Sequence, residues 1–255
     1  MFTRDTAFNF EKSLKIIKNR TDIIISDSEN TRQDIIRLLK IPEKKIKVIP
    51  LAADEQYRLL QNKELIKDEL KNRYNIDFPF ILSVGTLEKR KNIPLLIKAF
   101  YKLDKSEINQ KLVIVGGEGW KKYTKILNLI HDLNLHNDVI ITGYVPDDDL
   151  VKLYNAADLF VYPSLYEGFG LPPLEAMSCG CPVITSNTSS LPEVVGDAGI
   201  MVDPNDVDSL TEYINEILTN DGLNGDLRKK SLERAQIFNW KKTAKETWKI
   251  YEKLM

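Results

Sequence analysis

The chain has 255 residues, 43% of them hydrophobic and 29% charged, so it is long enough to bury a large core and too apolar to be disordered. Lysine and arginine number 36 and aspartate and glutamate 37, and the resulting net charge of −1 excludes a generally basic nucleic-acid-binding protein. No apolar run approaches the roughly 18 residues that a membrane span requires, and the N-terminus lacks the apolar core of a signal peptide, so we expect a soluble cytoplasmic protein.

The first 53 residues predict a small α/β fragment. We expect a helix over about 10–18, a strand over 23–26, a helix capped near Ser28 and a strand over 47–49. Two strands are too few to form an independent doubly wound domain. Residues 54–78 are expected to form a linker followed by a charged helix.

From residue 80 onward, short apolar runs alternate with helical patterns. The runs are β-branched and apolar on both faces, as the strands of a buried parallel sheet are. They cover 80–84, 112–116, 139–143, 159–163, 182–186 and 199–203. Strands alternating with helices predict a doubly wound parallel α/β sheet, which binds ligands beyond the carboxyl ends of its strands.

Apolar stripes at helical spacing predict the helices between these strands. The stripes are Ile93, Leu96, Ile97, Phe100 and Leu103, with Asn92 as the cap; Tyr123, Ile126, Leu127, Ile130 and Leu133; and Leu150, Leu153, Tyr154 and Ala157. Three further helices are predicted over about 206–218, 223–237 and 240–254.

The cysteines and histidines give no sign of a metal site, and we expect none. Cys179 and Cys181 form a C-G-C pair rather than C-x-x-C, so we interpret them as reduced thiols in the core. His131 and His136 lie far from them in sequence and are interpreted as surface or capping residues.

The stretch YEGFGLPPLEAM (166–177) joins a glycine-rich loop to a helix that begins at prolines, where missing N–H groups cost nothing. The free N–H groups of such a helix start suit a phosphate. Glu167 and Glu175 flank this cradle, and carboxylates there can accept hydrogen bonds from sugar hydroxyls. Taken singly, Glu167 is more simply interpreted as a turn residue and Glu175 as a solvated helix carboxylate.

Two further loops follow the first two strands of the predicted sheet. Lys89, Arg90 and Lys91 in GTLEKRKN (85–92) could neutralise a diphosphate, although a solvated basic loop is the simpler interpretation. VGGEGW (115–120) resembles a dinucleotide fingerprint, but Lys122 replaces its third glycine and the turn follows the second strand rather than the first. A nicotinamide-dependent oxidoreductase is therefore a weak alternative.

Six motifs, in order, resemble the blocks of one family. EGFGLPPLEAM, with its two glutamates eight residues apart, is similar to the E-x7-E signature of retaining glycosyltransferases of family 4, which have the two-domain GT-B fold. VGTLEKRKN, VGGEG, ITGYVP, ADLFVYPS and GCPVITS resemble successive blocks of that family's C-terminal domain. The resemblance covers about 80–240, and VGTLEKRKN is most similar to the branch of bacterial surface-polysaccharide mannosyltransferases.

The resemblance implies an α/β GT-B architecture with most of the N-terminal domain missing. Residues 1–53 would be a remnant of the acceptor domain, because ISDSENTRQDI and IKVIPLAAD resemble its last helix start and its exit strand. Residues 54–78 would be a linker and helix, 79–238 the Rossmann-like domain that binds the nucleotide-sugar donor, and 239–255 the helix that crosses back.

The resemblance also implies a role for each matching residue. Lys91 matches the lysine that contacts the donor diphosphate, and Arg90 would supply the guanidinium of a family arginine that Thr86 replaces. Glu167 matches the glutamate that faces the donor sugar, and Glu175 matches the one that hydrogen-bonds the ribose. The glycines Gly85 and Gly117 at the strand ends would also contact the donor, and Tyr144 and Val145 would lie beside the base. The backbone N–H groups of Phe169, Gly170 and Leu171 would hold phosphate oxygens.

These roles imply a retaining, metal-independent hexosyl transfer without a cofactor. The donor would be a nucleoside-diphosphate sugar, GDP-mannose first and a UDP-sugar next, and the acceptor a saccharide or lipid-linked saccharide of surface-glycan synthesis. We expect transfer to need the acceptor half, supplied by a second chain or a homo-oligomer. A non-catalytic sugar-nucleotide-binding or scaffold subunit is the alternative.

The C-terminal helix predicts one more contact surface. Trp240, Ala244, Trp248 and Tyr251 form an apolar stripe, which we expect to pack against residues 1–53 or another chain, because large bare patches are rare on monomers. Lysines on the other side of the helix would also suit peripheral contact with the inner face of the cell membrane; they are Lys241, Lys242, Lys245, Lys249 and Lys253.

Overall fold

The computed structural model describes residues 13, 14, 16–117 and 123–255. Near the N-terminus, two short parallel strands form a separate sheet joined by one helix, and a second helix follows. These elements are β1 (Ile24–Ser26), α1 (Glu29–Leu39), β2 (Ile46–Val48) and α2 (Lys63–Tyr74). Of the helix expected over 10–18, the described residues 13, 14 and 16–18 are helical, and the rest lies outside the described residues.

A parallel six-stranded sheet forms the centre of the fold. Its strands are β3 (Phe80–Val84), β4 (Lys111–Val115), β5 (Val139–Gly143), β6 (Leu159–Tyr162), β7 (Val183–Ser186) and β8 (Ile200–Val202). They lie in the order β5-β4-β3-β6-β7-β8, with every neighbouring pair parallel. The six apolar runs are therefore the six strands, and the predicted doubly wound α/β class is confirmed.

Helices cover both faces of this sheet because its strands are apolar on both faces. They are α3 (Ile93–Lys102), α4 (Tyr123–Asp132), α5 (Asp147–Ala156), α6 (Leu171–Ser178), α7 (Leu191–Val195), α8 (Val207–Thr219) and α9 (Asp221–Ala235). The last helix, α10 (Trp240–Leu254), follows them. Alternate residues of β3 belong to different cores: Phe80 and Leu82 pack on the side of α5 and α6, while Ile81 packs on the side of α3 and α8. Cys179 and Cys181 are free and buried, as predicted.

Two helix predictions are wrong in detail. Asn92 precedes α3 but does not cap it with its side chain, because its φ of 55° is left-handed and its side-chain amide instead donates to the carbonyl of Pro204 at 2.7 Å. Leu127 is 42% exposed, because the buried face of α4 runs through Ile126 and Ile130.

The last helix, α10, contacts the chain through a different face from the one expected. The Thr243 hydroxyl donates to the carbonyl of Pro50 at 2.7 Å, while Trp240, Trp248 and Tyr251 of the apolar stripe are 44–57% exposed. A groove of about 470 Å³ separates the end of the helix from β2, with Ile250 on its wall. The expected packing of the stripe against 1–53 is thus not found among the described residues. None of the described helices has the length and apolarity that crossing a membrane requires.

Candidate functional site

The site lies where the sheet changes direction. The chain runs from β3 outward to β4 and β5 on one side, whereas β6, next to β3, leads to β7 and β8 on the other. In a doubly wound sheet this switch point opens a crevice beyond the carboxyl ends of the two strands. The loops that enter it are 85–92 after β3 and 163–170 after β6.

Glycines allow the ends of three neighbouring strands to come unusually close. Gly85 N–H donates to the carbonyl of Val115 at 2.9 Å, and Gly116 N–H donates to that of Gly143 at 2.9 Å. A Cβ on Gly116 would lie 1.9 Å from the Gly85 carbonyl oxygen, so no larger residue fits there. A Cβ on Gly85 would lie 3.2 Å from Cε of Lys91, so this glycine makes room for the lysine side chain.

Lys91 and Glu167 form the centre of the site, one from each loop. Lys91 Nζ lies 2.8 Å from Glu167 Oε1, and both side chains are only 10% exposed. The hydroxyls of Tyr162 and Ser164 donate to the same oxygen at 2.9 and 2.7 Å, and Lys91 also donates to the Tyr162 oxygen. Neither the solvated loop nor the turn residue of the simpler interpretations describes this buried pair.

Arg90 ties the two loops together from the solvent side. Its guanidinium lies 2.5 Å from Glu167 Oε2 and donates to the carbonyl of Tyr166 at 2.9 Å. Its own carbonyl accepts the N–H of Leu165 at 2.8 Å. Two loops separated by more than 70 residues in sequence are thereby held as one unit.

The charges of this cluster are mutually stabilised. Burial would raise the pKa of Glu167, but the hydrogen bond and charge of Lys91, with the hydroxyls of Ser164 and Tyr162, hold it below its ordinary value. Burial lowers the pKa of Lys91, and Glu167 offsets part of that effect. The arrangement is an ion pair with a second cation, Arg90, on its exposed side.

The loop that follows Glu167 offers unpaired backbone donors. Among the described residues, the N–H groups of Phe169, Gly170 and Leu171 donate no hydrogen bond. They lie at the start of α6, whose first residue is Leu171 and whose second and third residues are prolines. The buried ring of Phe169 packs edge-on against Phe238, with centroids 5.8 Å apart, and Gly170 turns the chain with a φ of 122°. This geometry suits an anion at the start of α6.

Glu175 is half-buried one turn into α6, not freely solvated. Its Oε2 accepts the hydroxyl of Tyr154 at 3.0 Å. Burial raises the pKa of Glu175 to about 7, since the hydrogen bond from Tyr154 offsets only part of the desolvation. Glu175 therefore changes charge near neutral pH.

Glu167 and Glu175 each accept a hydrogen bond from the hydroxyl of a buried tyrosine, Tyr162 and Tyr154 respectively. Neither tyrosine was identified from the sequence as a site residue. The sequence shows Tyr154 only as part of an apolar stripe and Tyr162 only as a member of the apolar run 159–163. The signal that could have found them is an aromatic residue with a polar end at a fully buried position, because a buried hydroxyl needs a partner.

A second missed feature is the attachment of the N-terminal segment to the glycine-rich loop. The hydroxyls of Ser28 and Thr31 donate to the carbonyl of Gly168 at 2.6 and 3.0 Å, and Tyr166 donates to Asp34 at 2.6 Å. The Glu193 carboxylate accepts the first two N–H groups of α1, both at 2.7 Å. The segment 26–34 therefore braces the loop that carries Glu167.

Other predicted site residues are not brought into this cluster by any described contact. Thr86 is exposed and contributes only its carbonyl, which accepts the N–H of Glu88 at 2.7 Å. Gly117 borders open space. Tyr144 is 80% exposed and Val145 buried, and both follow β5, the edge strand. The rest of the VGGEGW turn, 118–120, and Lys122 lie outside the described residues.

His131 and His136 lie on the surface and contact each other edge-on, with ring centroids 5.3 Å apart. Across the described part of the chain, no three or more histidine, cysteine, aspartate or glutamate side chains are grouped so that they could hold a metal ion.

Fold and site together define a doubly wound α/β protein with an anion-suited crevice at its switch point. The family model described as "Glycosyl transferases group 1" matches residues 66–236. The chain belongs to this family, and its fold is of the GT-B type.

The chain is similar to curated mannosyltransferases of Escherichia coli. It is 38% identical over 253 residues to O-antigen chain mannosyltransferase B, covering 98% of this chain and 66% of that protein. It is 36% identical over 228 residues to the serotype-specific mannosyltransferase WbdA, covering 88% of this chain and 28% of that protein. The chain thus spans less than two thirds of the length of these relatives.

Solved structures share the fold over nearly the whole chain. Sucrose-phosphate synthase from Thermosynechococcus elongatus superposes with a TM-score of 0.82 at 27% identity, covering 100% of this chain and 64% of that one. Anabaena HepE in complex with UDP and glucose superposes with a TM-score of 0.84 at 21% identity, covering 97% of this chain and 66% of that one. The second likeness concerns the fold alone.

Proposed function

We propose that this chain carries the donor-binding half of a retaining glycosyltransferase that uses a nucleoside-diphosphate sugar. The observation that carries the proposal is the juxtaposition of Lys91 and Arg90 with the unpaired N–H groups of 169–171 across one crevice. Cations and a helix N-terminus together suit a diphosphate, and the carboxylates Glu167 and Glu175 suit neutral sugar hydroxyls. The names of the Escherichia coli relatives favour GDP-mannose as the donor, with a UDP-sugar next.

In this proposal the chain's residues stabilise the leaving group. As the bond between the sugar C1 and the diphosphate oxygen breaks, negative charge grows on the diphosphate and C1 becomes oxocarbenium-like. Lys91, Arg90 and the N–H groups at the start of α6 stabilise that charge, an effect often worth several kcal/mol. The acceptor hydroxyl oxygen bonds to C1 on the same face, and its proton passes to the departing phosphate oxygen, so configuration is retained.

The remaining site residues position the donor. Glu167 faces the sugar and orients Lys91 through their ion pair, and Glu175 accepts hydrogen bonds from the ribose. Gly85 and Gly117 let the donor approach the strand ends, while Tyr144 and Val145 seat the base. Thr86 occupies the position of a family arginine in the same loop, and Arg90 supplies the guanidinium in its place.

The proposal divides the chain as the motifs do. Residues 1–53 belong to the acceptor domain, 54–78 are a linker and helix, 79–238 bind the donor, and 239–255 cross back to the acceptor domain. The acceptor is a saccharide or lipid-linked saccharide, and the protein acts in the cytoplasm. Because the apolar stripe of α10 is exposed, we propose that a partner covers it. We take this partner to be the remaining part of the acceptor domain. Sedimentation with anionic vesicles tests the alternative, a membrane surface.

Calorimetric titration with GDP, UDP, ADP and NAD tests the donor site. We expect one diphosphate to bind, and Lys91→Ala and Glu175→Ala each to weaken it about 10–100-fold, since a hydrogen bond to a charged group contributes about 1.5–3 kcal/mol. Lys89→Ala is the matched control, because Lys89 is an exposed cation of the same loop. Binding of NAD alone would favour an oxidoreductase.

Transfer assays with an added acceptor domain separate the enzyme from its alternative. Activity that appears only with the second polypeptide supports the proposed division of the chain. Donor binding without transfer under any condition would instead favour the non-catalytic sugar-nucleotide-binding or scaffold subunit.

A further inference from the structure

Two tyrosine hydroxyls enter the site from the core of the sheet, and each reaches one of the two carboxylates. Tyr162 donates to Glu167 at 2.9 Å, and Tyr154 donates to Glu175 at 3.0 Å. Tyr154 is fully buried and Tyr162 is 2% exposed. Among the described residues, the hydroxyl of Tyr154 has no hydrogen-bond partner besides Glu175 and no other group donates a hydrogen bond to the Glu175 side chain.

The two tyrosines belong to one continuous row of aromatic rings. Tyr154 contacts Phe160 edge-on at 5.4 Å between centroids, and Phe160 stacks on Tyr162 at 5.8 Å. At the other end Tyr57 contacts Tyr154 edge-on at 5.9 Å. Closely packed aromatic rings cannot shift independently, so the row sets the distance between the two hydroxyls.

Each hydroxyl also orients its carboxylate. Because Tyr154 occupies Oε2 of Glu175, Oε1 is left to accept from a ligand. Tyr162 acts at the other end, where it accepts from Lys91 and donates to Glu167, so that it links the cation and the carboxylate.

We propose that Tyr154 and Tyr162 are positioning residues for the two ends of a nucleoside diphosphate: Tyr154 holds Glu175, and Tyr162 holds Lys91 together with its ion-pair partner Glu167. Tyr154 acts on the nucleoside end and Tyr162 on the diphosphate end. The inference deepens the proposed function and depends on it.

Three tyrosine-to-phenylalanine variants test this role, with GDP, UDP and inorganic pyrophosphate as probes. We expect Tyr154→Phe to weaken the bound nucleoside diphosphate at least fivefold at pH 7 while leaving pyrophosphate within twofold. Tyr162→Phe is expected to weaken both probes. Tyr57→Phe is the matched control, because its hydroxyl belongs to the same row and donates to no described side chain.

A pH profile and a double-mutant cycle separate positioning from general packing. Glu175 is faced by Tyr154, Tyr57, Asp54, Asp147 and Cys179, and of these Tyr154 donates its hydrogen bond to the ionised form. Removing that bond raises the pKa of Glu175, so the midpoint below which nucleotide binding weakens moves to higher pH in Tyr154→Phe. In a Glu175→Gln background, Tyr154→Phe should add less than twofold.

The outcomes of these experiments distinguish failure of the inference about the tyrosines from failure of the proposed nucleotide-binding function. If the wild-type chain binds none of the nucleotides, the proposed function falls and the inference falls with it. If the wild-type chain binds but Tyr154→Phe matches Tyr57→Phe, or keeps its full effect without Glu175, only the inference is overturned.

Discussion

Replacing Glu167 by glutamine should make the free protein less stable and its diphosphate complex stronger. The substitution keeps the shape of the side chain but removes the charge that pairs with Lys91 at 2.8 Å and Arg90 at 2.5 Å. Lys91 is left buried without a counter-ion, whereas Arg90 is 39% exposed and regains water. Breaking a buried pair costs about 3–5 kcal/mol, and we expect about 3 kcal/mol because one cation is solvated.

A diphosphate supplies the negative charge that Glu167→Gln removes. The native carboxylate competes for Lys91 and repels the phosphate, so we expect the variant to bind GDP or UDP about tenfold more tightly, about 1.4 kcal/mol. Bound nucleotide should therefore recover part of the lost stability. The expected fall in melting temperature without ligand is about 6–12 °C, at about 2–4 °C per kcal/mol for a chain of this size.

Thermal unfolding with and without nucleotide, together with calorimetric titration, measures both effects. Because the folded pKa of Glu167 lies below its ordinary value of 4.5, its contribution is present above that pH and is lost as the pH falls through the folded pKa. The difference between wild type and Glu167→Gln should accordingly shrink in acid. Glu88→Gln is the control, since Glu88 is 51% exposed and 3.9 Å from Arg90. A variant as stable as wild type, or one that binds nucleotide more weakly, would refute the reasoning.

Three further substitutions test the scaffold of the site by urea unfolding. Gly116→Ala should cost about 3 kcal/mol or more, because its Cβ would overlap the carbonyl of Gly85, while Gly117→Ala meets open space and should cost far less. Glu193→Gln should cost about 1–3 kcal/mol by weakening the capping of α1, and hydrogen exchange should be faster at the first two amides of that helix. Asp149→Asn should lower the urea midpoint, because its 2% exposed carboxylate accepts two groups from α2.

The sheet was predictable because its signal is local. A parallel strand covered on both faces must be apolar throughout, and each of the six runs is short enough to be a strand rather than a helix. The two wrong helix predictions concern residues whose position depends on a single backbone angle or a single contact. The left-handed φ of Asn92 turned a predicted cap into a contact with Pro204, and Leu127 fell just outside the buried face of α4.

The site was predictable only where the chain encodes it in loops. Lys91 and Glu167 follow strands whose carboxyl ends any doubly wound sheet brings together. Glu193 and Ser28 gave no such signal, because their partners lie more than 130 residues away and are backbone groups, which any sequence provides. Tyr154 was hidden by its own burial, since an apolar stripe predicts a packed ring and says nothing of its hydroxyl.

The brace on Gly168 explains why the small N-terminal sheet matters to a crevice that belongs to the large one. The loop from Tyr166 to Leu171 is held on one side by Arg90 and on the other by the hydroxyls of Ser28 and Thr31 at the start of α1, whose first N–H groups are in turn capped by Glu193. A ligand that orders this loop must therefore stabilise the contact between the two sheets, and by linkage that contact must strengthen the ligand's binding by the same factor. The N-terminal segment thus contributes to the energetics of the proposed donor site, even though none of its described side chains contacts Lys91.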